Sequence, residues 1–326
     1  MRCPTLRELP PPPVGKTGWP WTEDSIQAPS ATASGDPWPR ISIVTPSYNQ
    51  GAFIEETIRS VLLQGYPDIE YIIIDGGSTD DSVDIIRRYA PWLAFWVTER
   101  DGGQAEAINH GFSHTTGAVL GFINSDDSLV AQSLVAVGQT FARLKIKNAI
   151  VEFAGEIFSS QGILRTHRPS RVQWLRVWMK TDMSLLQQST FWTRNLHDTI
   201  GGFDETLHFC FDKEFFLQAV FLSGRYLSMP CVVVGRFRRH ADSKTSQIDD
   251  VKWKENAKIW ARYEKDHRIT ERLRWESDHD RIVDALRSPS RSKALKALSQ
   301  VLRDNWRFGV SRFFWGAARR ILFGNR

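Results

Sequence analysis

Cysteine is scarce in this chain. Cys3, Cys210 and Cys231 are the only three in 326 residues, and no two of them form a C-x-x-C pair. Neither a disulfide framework nor a zinc site is indicated, and a reducing compartment is the expected setting. Long apolar runs are missing as well. No stretch reaches the roughly 18 residues that span a bilayer, and Met1–Pro20 is proline-rich without the apolar core of a secretory signal. The expected location is therefore the cytoplasm, free or peripheral at the inner face of the cytoplasmic membrane. Charge of one sign is not in large excess: the net charge is +5. That mild basic surplus suits anionic small molecules or phospholipid head groups. No recognisable RNA- or DNA-binding module accompanies it, so no nucleic-acid partner is expected.

What is present begins with apolar residues at 41% of the chain, enough for a sizeable core. Residues 1–39 carry Pro10–Pro13, Pro20, Pro29, Pro37 and Pro39 and read as an extended, weakly ordered arm. Trp19, Trp21 and Trp38 argue that parts of it dock. From Arg40 the pattern changes. Strands are predicted at Ile41–Thr45, Tyr71–Ile74, Leu93–Val97 and Val119–Ile123, with helices at Phe53–Leu63, Asp80–Ala90 and Glu106–Ser113 between them. Tyr71-Ile-Ile-Ile74 is apolar at every position, the mark of a strand buried on both faces. This alternation implies an α/β fold with a mainly parallel sheet and right-handed crossovers. Further strands are predicted at Ile150–Phe153, Ile163–Arg165, Ser189–Trp192 and Val232–Phe237, and helices at Arg171–Met179, Arg194–Ile200 and Phe211–Phe221. Three domains are expected: the arm 1–39, an α/β domain 40–245, and a basic helical extension 246–326. Between Asp284 and Arg326, ten Lys or Arg stand against two Asp, with Leu302, Trp306, Val310, Phe313, Phe314, Ala317 and Ile321 at roughly helical spacing. That is the composition of a helix lying in a membrane interface. A terminal helix packed on its own domain or on a second subunit is the alternative.

Ligands of such sheets bind beyond the carboxyl ends of the strands. Three polar clusters follow predicted strands directly: Pro46-Ser-Tyr-Asn49, Asp75-Gly-Gly-Ser78 and Asn124-Ser-Asp-Asp127. The third places two acids side by side, and one would lose its charge unless something positive sits there. A hard divalent cation is one answer, because it takes oxygen ligands and often only one or two protein carboxylates. A helix cap is the other, with Ser125, Asp126 or Asp127 ahead of the periodic stretch Leu129–Val137.

The clusters and their order resemble the family 2 glycosyltransferases with the GT-A fold. The matching segments are Ile41-Ser-Ile-Val-Thr-Pro-Ser-Tyr-Asn-Gln50, Tyr71-Ile-Ile-Ile-Asp-Gly-Gly-Ser-Thr-Asp80, Asp101-Gly-Gly-Gln-Ala-Glu-Ala-Ile-Asn-His-Gly111 and Asn124-Ser-Asp-Asp127. They continue through Gln187-Gln-Ser-Thr-Phe191, Gly201-Gly-Phe-Asp-Glu205, Phe211-Asp-Lys-Glu-Phe-Phe-Leu217 and Arg236-Phe-Arg-Arg-His240. Each is weak alone; together they are specific over about residues 40–245.

The resemblance implies an inverting enzyme that passes a sugar from a UDP-, GDP- or dTDP-linked donor to a hydroxyl acceptor, a glycan or lipid-linked precursor. Pro46, Ser47, Tyr48, Asp75, Asp101, Asn109, Asn124 and Ser125 would bind the donor. Asp126, with Asp127 and His240, would hold Mg²⁺ or Mn²⁺. Asp212 would be the general base; a cap on the helix at Phe215–Leu222 is its bland alternative. Glu214 would be structural or touch the acceptor. Asp75 also suits a turn ahead of Gly76-Gly77, and Asn109 suits a loop-holding part. Two departures stand out: Gly76 where the family often has a second Asp, and Asn124 where it has the first Asp of its D-x-D motif. A catalytically inactive nucleotide-sugar-binding or scaffolding protein of the same fold is the alternative function. A sugar nucleotidyltransferase fits worse, since Pro46-Ser-Tyr-Asn-Gln-Gly51 lacks a basic residue.

Overall fold

Ile41–Ser47 forms a strand, β1, because its residues suit a site buried on both sides; all seven are buried. It pairs in parallel with β2 (Ile69–Asp75) from Ile41–Ile69 to Ser47–Asp75, and with β4 (Val119–Phe122) from Ile41–Val119 to Val44–Phe122. Pro46 has no N–H to give, and β4 pairing has already stopped two residues earlier. β3 (Phe95–Thr98) lies on the far side of β2, also parallel. The computed structural model describes residues 2–169, 185–223, 226–240, 249–263, 290–304 and 318–319. The chain divides into two compact units, Met1–Arg171 with Leu185–Glu255, and Val172–Ser184 with Asn256–Arg326.

In the first unit the sheet order is β3-β2-β1-β4-β8-β6-β9-β5, with β7 on β6. The added strands are β5 (Ser128–Leu129), β6 (Ile150–Ser159), β7 (Gly162–His167), β8 (Thr190–Thr193) and β9 (Tyr226–Arg238). β8 runs antiparallel to both β4 and β6. β6 and β9 are parallel, with register shifts around Phe153–Gly155. The architecture is the expected α/β fold, parallel in its first half and mixed in its second. Helices α1 (Ile54–Leu62), α2 (Ser82–Tyr89), α3 (Gln104–Ser113), α4 (Ser133–Leu144), α5 (Arg194–Ile200) and α6 (Phe211–Ser223) fill the crossovers, and α7 (Asp249–Tyr263) follows.

One boundary departs from the sequence reading. The periodic stretch predicted from Leu129 becomes a helix only at Ser133, behind Gln132. Ser128 and Leu129 instead pair with Arg236 and Gly235 of β9, more than 100 residues on. None of Ser125, Asp126 and Asp127 therefore caps α4.

The arm has no helix or strand, as its prolines require, yet it is docked. Cys3, Leu9 and Trp38 join the core cluster of Ile41, Ile43, Ile54 and Ile58. The fixing point is Arg59 on α1, fully buried. Its guanidinium donates to the carbonyls of Pro10 (2.8 Å), Pro20 (3.1 Å) and Trp21 (3.1 Å) and to the Tyr89 hydroxyl (3.0 Å). It also lies 5.5 Å from the Trp21 ring centroid. Arg59→Met should leave these acceptors without a donor. The expected loss is about 4 kcal/mol of unfolding free energy or more, at about 1–3 kcal/mol for each of the four orphaned groups, with faster proteolysis between Thr5 and Thr22 in limited digestion.

On the other side of the sheet, Trp192, Phe203, Phe112 and Phe215 surround His197 of α5, with ring centroids 4.8 Å (Phe112) to 6.4 Å (Trp192, Phe203) away. Burial drives the His197 imidazole down to about 4. A base depressed on folding stabilises the native state above its unfolded value near 6.5 and loses that contribution as pH falls toward 4. Urea titrations across pH 7 to 4 should show His197→Phe losing less stability than the parent, by on the order of 2 to 3 kcal/mol.

In the second unit, α8 (Arg291–Asp304) buries Ala294, Leu298 and Val301, one stripe at helical spacing, and leaves Leu302 partly exposed. The helix expected at Arg171–Met179 and most of the expected interfacial helix beyond Asp304 lie outside the described residues. No helix among the described residues is long and apolar enough to cross a membrane.

Candidate active site

Because β1, β2, β3 and β4 are parallel, the loops after Ser47, Asp75, Thr98 and Phe122 leave from one edge. The first two interlock. Asn49 N–H donates to Ser78 Oγ (2.8 Å), Thr79 N–H to Asn49 Oδ1 (2.9 Å), and Gly51 N–H to Asp80 Oδ2 (2.8 Å). Against its partial burial, the Ser82 hydroxyl and the Gly51 and Ser82 N–H groups hold the Asp80 carboxyl below the usual range. Tyr48 is left 62% exposed at the tip, an aromatic face open to a planar ligand. Pro46 and Ser47 are buried beneath it, and Ser47 Oγ has no hydrogen-bond partner. An orphaned hydroxyl in this place is a donor available to a ligand.

Asp75 is fully buried and its carboxylate is occupied by its own loop. Oδ1 accepts from Ser78 Oγ (2.6 Å); Oδ2 accepts from Gly77 N–H (3.2 Å), Ser78 N–H (2.9 Å) and Thr98 Oγ1 (2.8 Å). The structure thus shows the turn-forming role. The Gly76 departure has a steric partner. A Cβ there would lie 2.9 Å from Asp101 Oδ2, so the acid missing at 76 is replaced in space by Asp101. Asp101 accepts from Gly103 N–H (3.0 Å). Burial, followed by the charges of Glu106 and Asp75, raises its carboxyl above the ordinary value.

At the end of β4 the two adjacent acids part company. Asp127 is fully buried. Oδ1 accepts from Arg238 N–H (2.8 Å), and Oδ2 accepts from Gln188 Nε2 and from Asn124 Nδ2 (3.3 Å). Burial above all, and then Asp126, push the Asp127 carboxyl well up. Thr57 of α1 donates to the carbonyls of both Ser125 (2.9 Å) and Asp127 (2.6 Å), pinning the loop from below. Asp126 points the other way, partly exposed, with Oδ2 3.0 Å from His240 Nε2. Arg238 clamps the Asp126 carbonyl (2.8 Å) and Glu56 (2.6 Å), between the rings of Phe53 and Phe158. Asn124 Oδ1 accepts from Gln104 Nε2 (2.7 Å). The oxygen expected to face a donor or metal is therefore spent on the first residue of α3.

The remaining predicted residues sit around the start of α6. Asp212 is half-buried in the first turn, and its Oδ1 accepts from Lys213 N–H (2.6 Å). The helix begins at Phe211, so Asp212 does not cap one beginning near Phe215. Phe211 packs on Phe122, ring centroids 6.4 Å apart, which ties this turn to the end of β4. Glu214 is buried and accepts from Gln218 (2.8 Å), a structural i,i+4 contact. Asn109 binds the Gly201–Glu205 loop with every polar group: Nδ2 to Phe203 O and Glu205 Oε1, Oδ1 from Phe203 N–H, each 2.8 Å. Its loop-holding alternative is the role seen.

The structure thus joins Asp126 with His240, and Asp127 with Asn124. It adds three residues the sequence reading gave no role beside the acids: Gln188, Thr57 and Gln104. Gln188 had a signal, its place in Gln187-Gln-Ser-Thr-Phe191. Gln104 had the same kind of signal, its place in Asp101-Gly-Gly-Gln104, and Thr57 had none, since it acts through a contact made only in the fold.

A mixed sheet whose parallel half ends in a carboxylate loop beside an exposed aromatic is a ligand-binding edge, and likeness to known proteins gives its class. Residues 42–201 match the family described as Glycosyl transferase family 2. An uncharacterized glycosyltransferase of Mycobacterium tuberculosis is 33% identical over 183 residues, covering 56% of this chain and 69% of that protein. A putative teichuronic acid biosynthesis glycosyltransferase of Bacillus subtilis is 38% identical over 92 residues, 27% of this chain and 36% of that one. The fold matches a mannosyltransferase from Pyrobaculum calidifontis, solved with GDP-mannose and Mn²⁺, at a TM-score of 0.53 and 18% identity, covering 94% and 92% of the two chains. This chain belongs to glycosyl transferase family 2, has the GT-A fold, and is a glycosyltransferase.

Gln188→Leu should leave Asp127 with one donor fewer in a site closed to solvent. Thermal unfolding is expected to show a loss of about 1–3 kcal/mol, far more than a Gln→Leu change on the surface.

Proposed function

We propose that the chain transfers a sugar, with inversion, from a nucleoside-diphosphate sugar to a hydroxyl of a glycan or lipid-linked precursor of the cell surface. The observation that carries this reading is the division at the end of β4: Asp127 sealed inside, Asp126 turned out beside His240 at 3.0 Å. A carboxylate oxygen and an imidazole nitrogen so close together suit one divalent ion, and the carboxylate suits Mg²⁺ or Mn²⁺. Asp126 and His240 are the residues that would hold it, and Asp127 supports them through the loop. When bound, the ion supplies charge neutralisation for the departing diphosphate. The Mn²⁺ in the Pyrobaculum mannosyltransferase complex supports this cofactor.

The protein's own groups do the rest. Tyr48 stacks on the donor base, with Ser47 Oγ as a donor beneath it and Pro46 shaping the wall. Asp75 keeps the loop in register. Asp101 lines the donor sugar, with its carboxylate placed to accept from a sugar hydroxyl. Asn124, Ser125 and Asn109 set the loops that face the donor. Asp212 takes the proton of the acceptor hydroxyl as that oxygen attacks the anomeric carbon and the bond to the diphosphate breaks. The candidate bases are uracil, guanine and thymine, and the name of the Bacillus relative supports a cell-surface glycan as product.

A panel of UDP-, GDP- and dTDP-sugars, assayed for release of nucleoside diphosphate with Mn²⁺ or Mg²⁺, should single out one donor. With that donor, Asp126→Ala and Asp212→Asn should each lower turnover by at least about 100-fold, the lower end of what a positioned general base contributes. Full activity in both variants would refute the assignment.

A further inference from the structure

The turn that carries Asp212 is held by a carboxylate that lies outside the family-matched segment 42–201. Glu255 of α7 is buried, and it takes three successive backbone N–H groups: His208 to Oε1 (2.7 Å), Phe209 to Oε2 (2.9 Å) and Cys210 to Oε2 (2.8 Å). Consecutive N–H groups converging on one point form an anion site. Here the anion is the protein's own, and the bonds are of the charge-assisted kind, about twice as strong as neutral ones. Two more ties join the same pair of segments. The Cys210 thiol reaches Lys252 O (3.8 Å), and the Lys252 ammonium lies 5.9 Å from the Phe209 ring centroid.

The consequence falls on the next residues. Cys210 O accepts the first helical bond of α6, from Glu214 N–H (3.0 Å), so residues 208–210 set where the helix begins and where Asp212 points. Leu207 and Cys210 anchor the stretch by burial, and Leu207 N–H donates to Asp204 O (3.1 Å), while Glu255 takes the three N–H groups that follow. Glu205, Thr206 and His208 are exposed, and Gly201 and Gly202 precede them with positive φ. The loop also faces the donor side: a Cβ on Gly103 would lie 3.7 Å from His208 Nδ1. We infer that Glu255 is a positioning residue for Asp212, fixing the general base from a helix beyond the matched family segment. The inference rests on the assignment of Asp212 as base.

The test uses the full-length protein, Mn²⁺, and the nucleotide sugar selected by the donor panel. Glu255→Gln keeps the size and loses the charge, and its amide nitrogen faces N–H donors. It should lower kcat on the order of 30- to 100-fold, the range for misplacing a catalytic group by about 1 Å, while the donor KM stays within about 2-fold. Hydrogen exchange at residues 208–210 should accelerate. Glu255→Asp, with the charge kept one methylene short, should lose only about 10-fold in kcat and carries the test should the Gln variant fail to fold. A purely structural role would lower the active fraction, and with it donor binding capacity and kcat in proportion. That result, or an unchanged kcat in either folded variant, overturns the inference. Asp212→Asn separates the two claims. If it retains full turnover, the base assignment fails whatever Glu255 does; if it is inactive while Glu255→Gln has normal kcat, only the role of Glu255 fails.

Discussion

Two carboxylates on neighbouring residues at the end of a buried strand cannot both keep their charge in the same place. This constraint organises the site. The fold resolves it by sending the acids in opposite directions and surrounding the inner one with donors from separate elements: Asn124 beside it, Gln188 before β8, and the Arg238 amide at the end of β9. With Asp127 committed in this way, Asp126 is free to face outward beside His240. The cost of burying Asp127 shows in its raised affinity for a proton, and the neighbouring Asp126 adds to it.

The same requirement gives the surrounding architecture its logic. Within the loop only Asn124 ties Asp127, and the remaining ties come from other elements. Thr57 grips the loop's carbonyls from α1, and Ser60 accepts Leu129 N–H one turn later. Trp19 of the arm donates to Leu129 O (2.8 Å). The arm, through Arg59 and Trp19, closes the polar side of α1 that a lone amphipathic helix would have left to solvent. Arg238 reaches the loop twice, through its amide to Asp127 and its guanidinium to the Asp126 carbonyl, which couples β9 to the site it borders. At the other end, Glu255 performs for the Asp212 turn what Gln188 and Arg238 perform for Asp127: buried polar groups far away in sequence fix a short polar segment.

Much of the first half was legible in the sequence. Parallel strands buried on both faces are continuous apolar runs, so Ile41–Thr45 and Tyr71–Ile74 announce themselves, and helices with one apolar stripe fall between them. The Asn124–Asp127 cluster was visible for the same reason, as polar residues ending such a run. Less legible was everything decided by a partner far along the chain. Leu129 looked like the start of a helix because its period suits one, but pairing with Gly235 makes it a strand. β9 was read from Val232 and in fact begins at Tyr226, because Pro230 and Cys231 hide a strand that continues past a register shift. The motifs of Asn109 and Asn124 imply donor contacts. In the fold their polar groups bind the 201–205 loop and Gln104, and only the packed structure reveals that.

The account depends on the two acids having different tasks. Mn²⁺ binding, followed by its electron paramagnetic resonance signal in the presence of the selected nucleoside diphosphate, separates them. Asp126→Ala is expected to abolish the bound signal, while Asp127→Asn retains Mn²⁺ binding with weakened affinity and a less stable fold. Equal loss in both variants, each folded, would show that the buried acid ligates the metal and would contradict the division proposed for the pair.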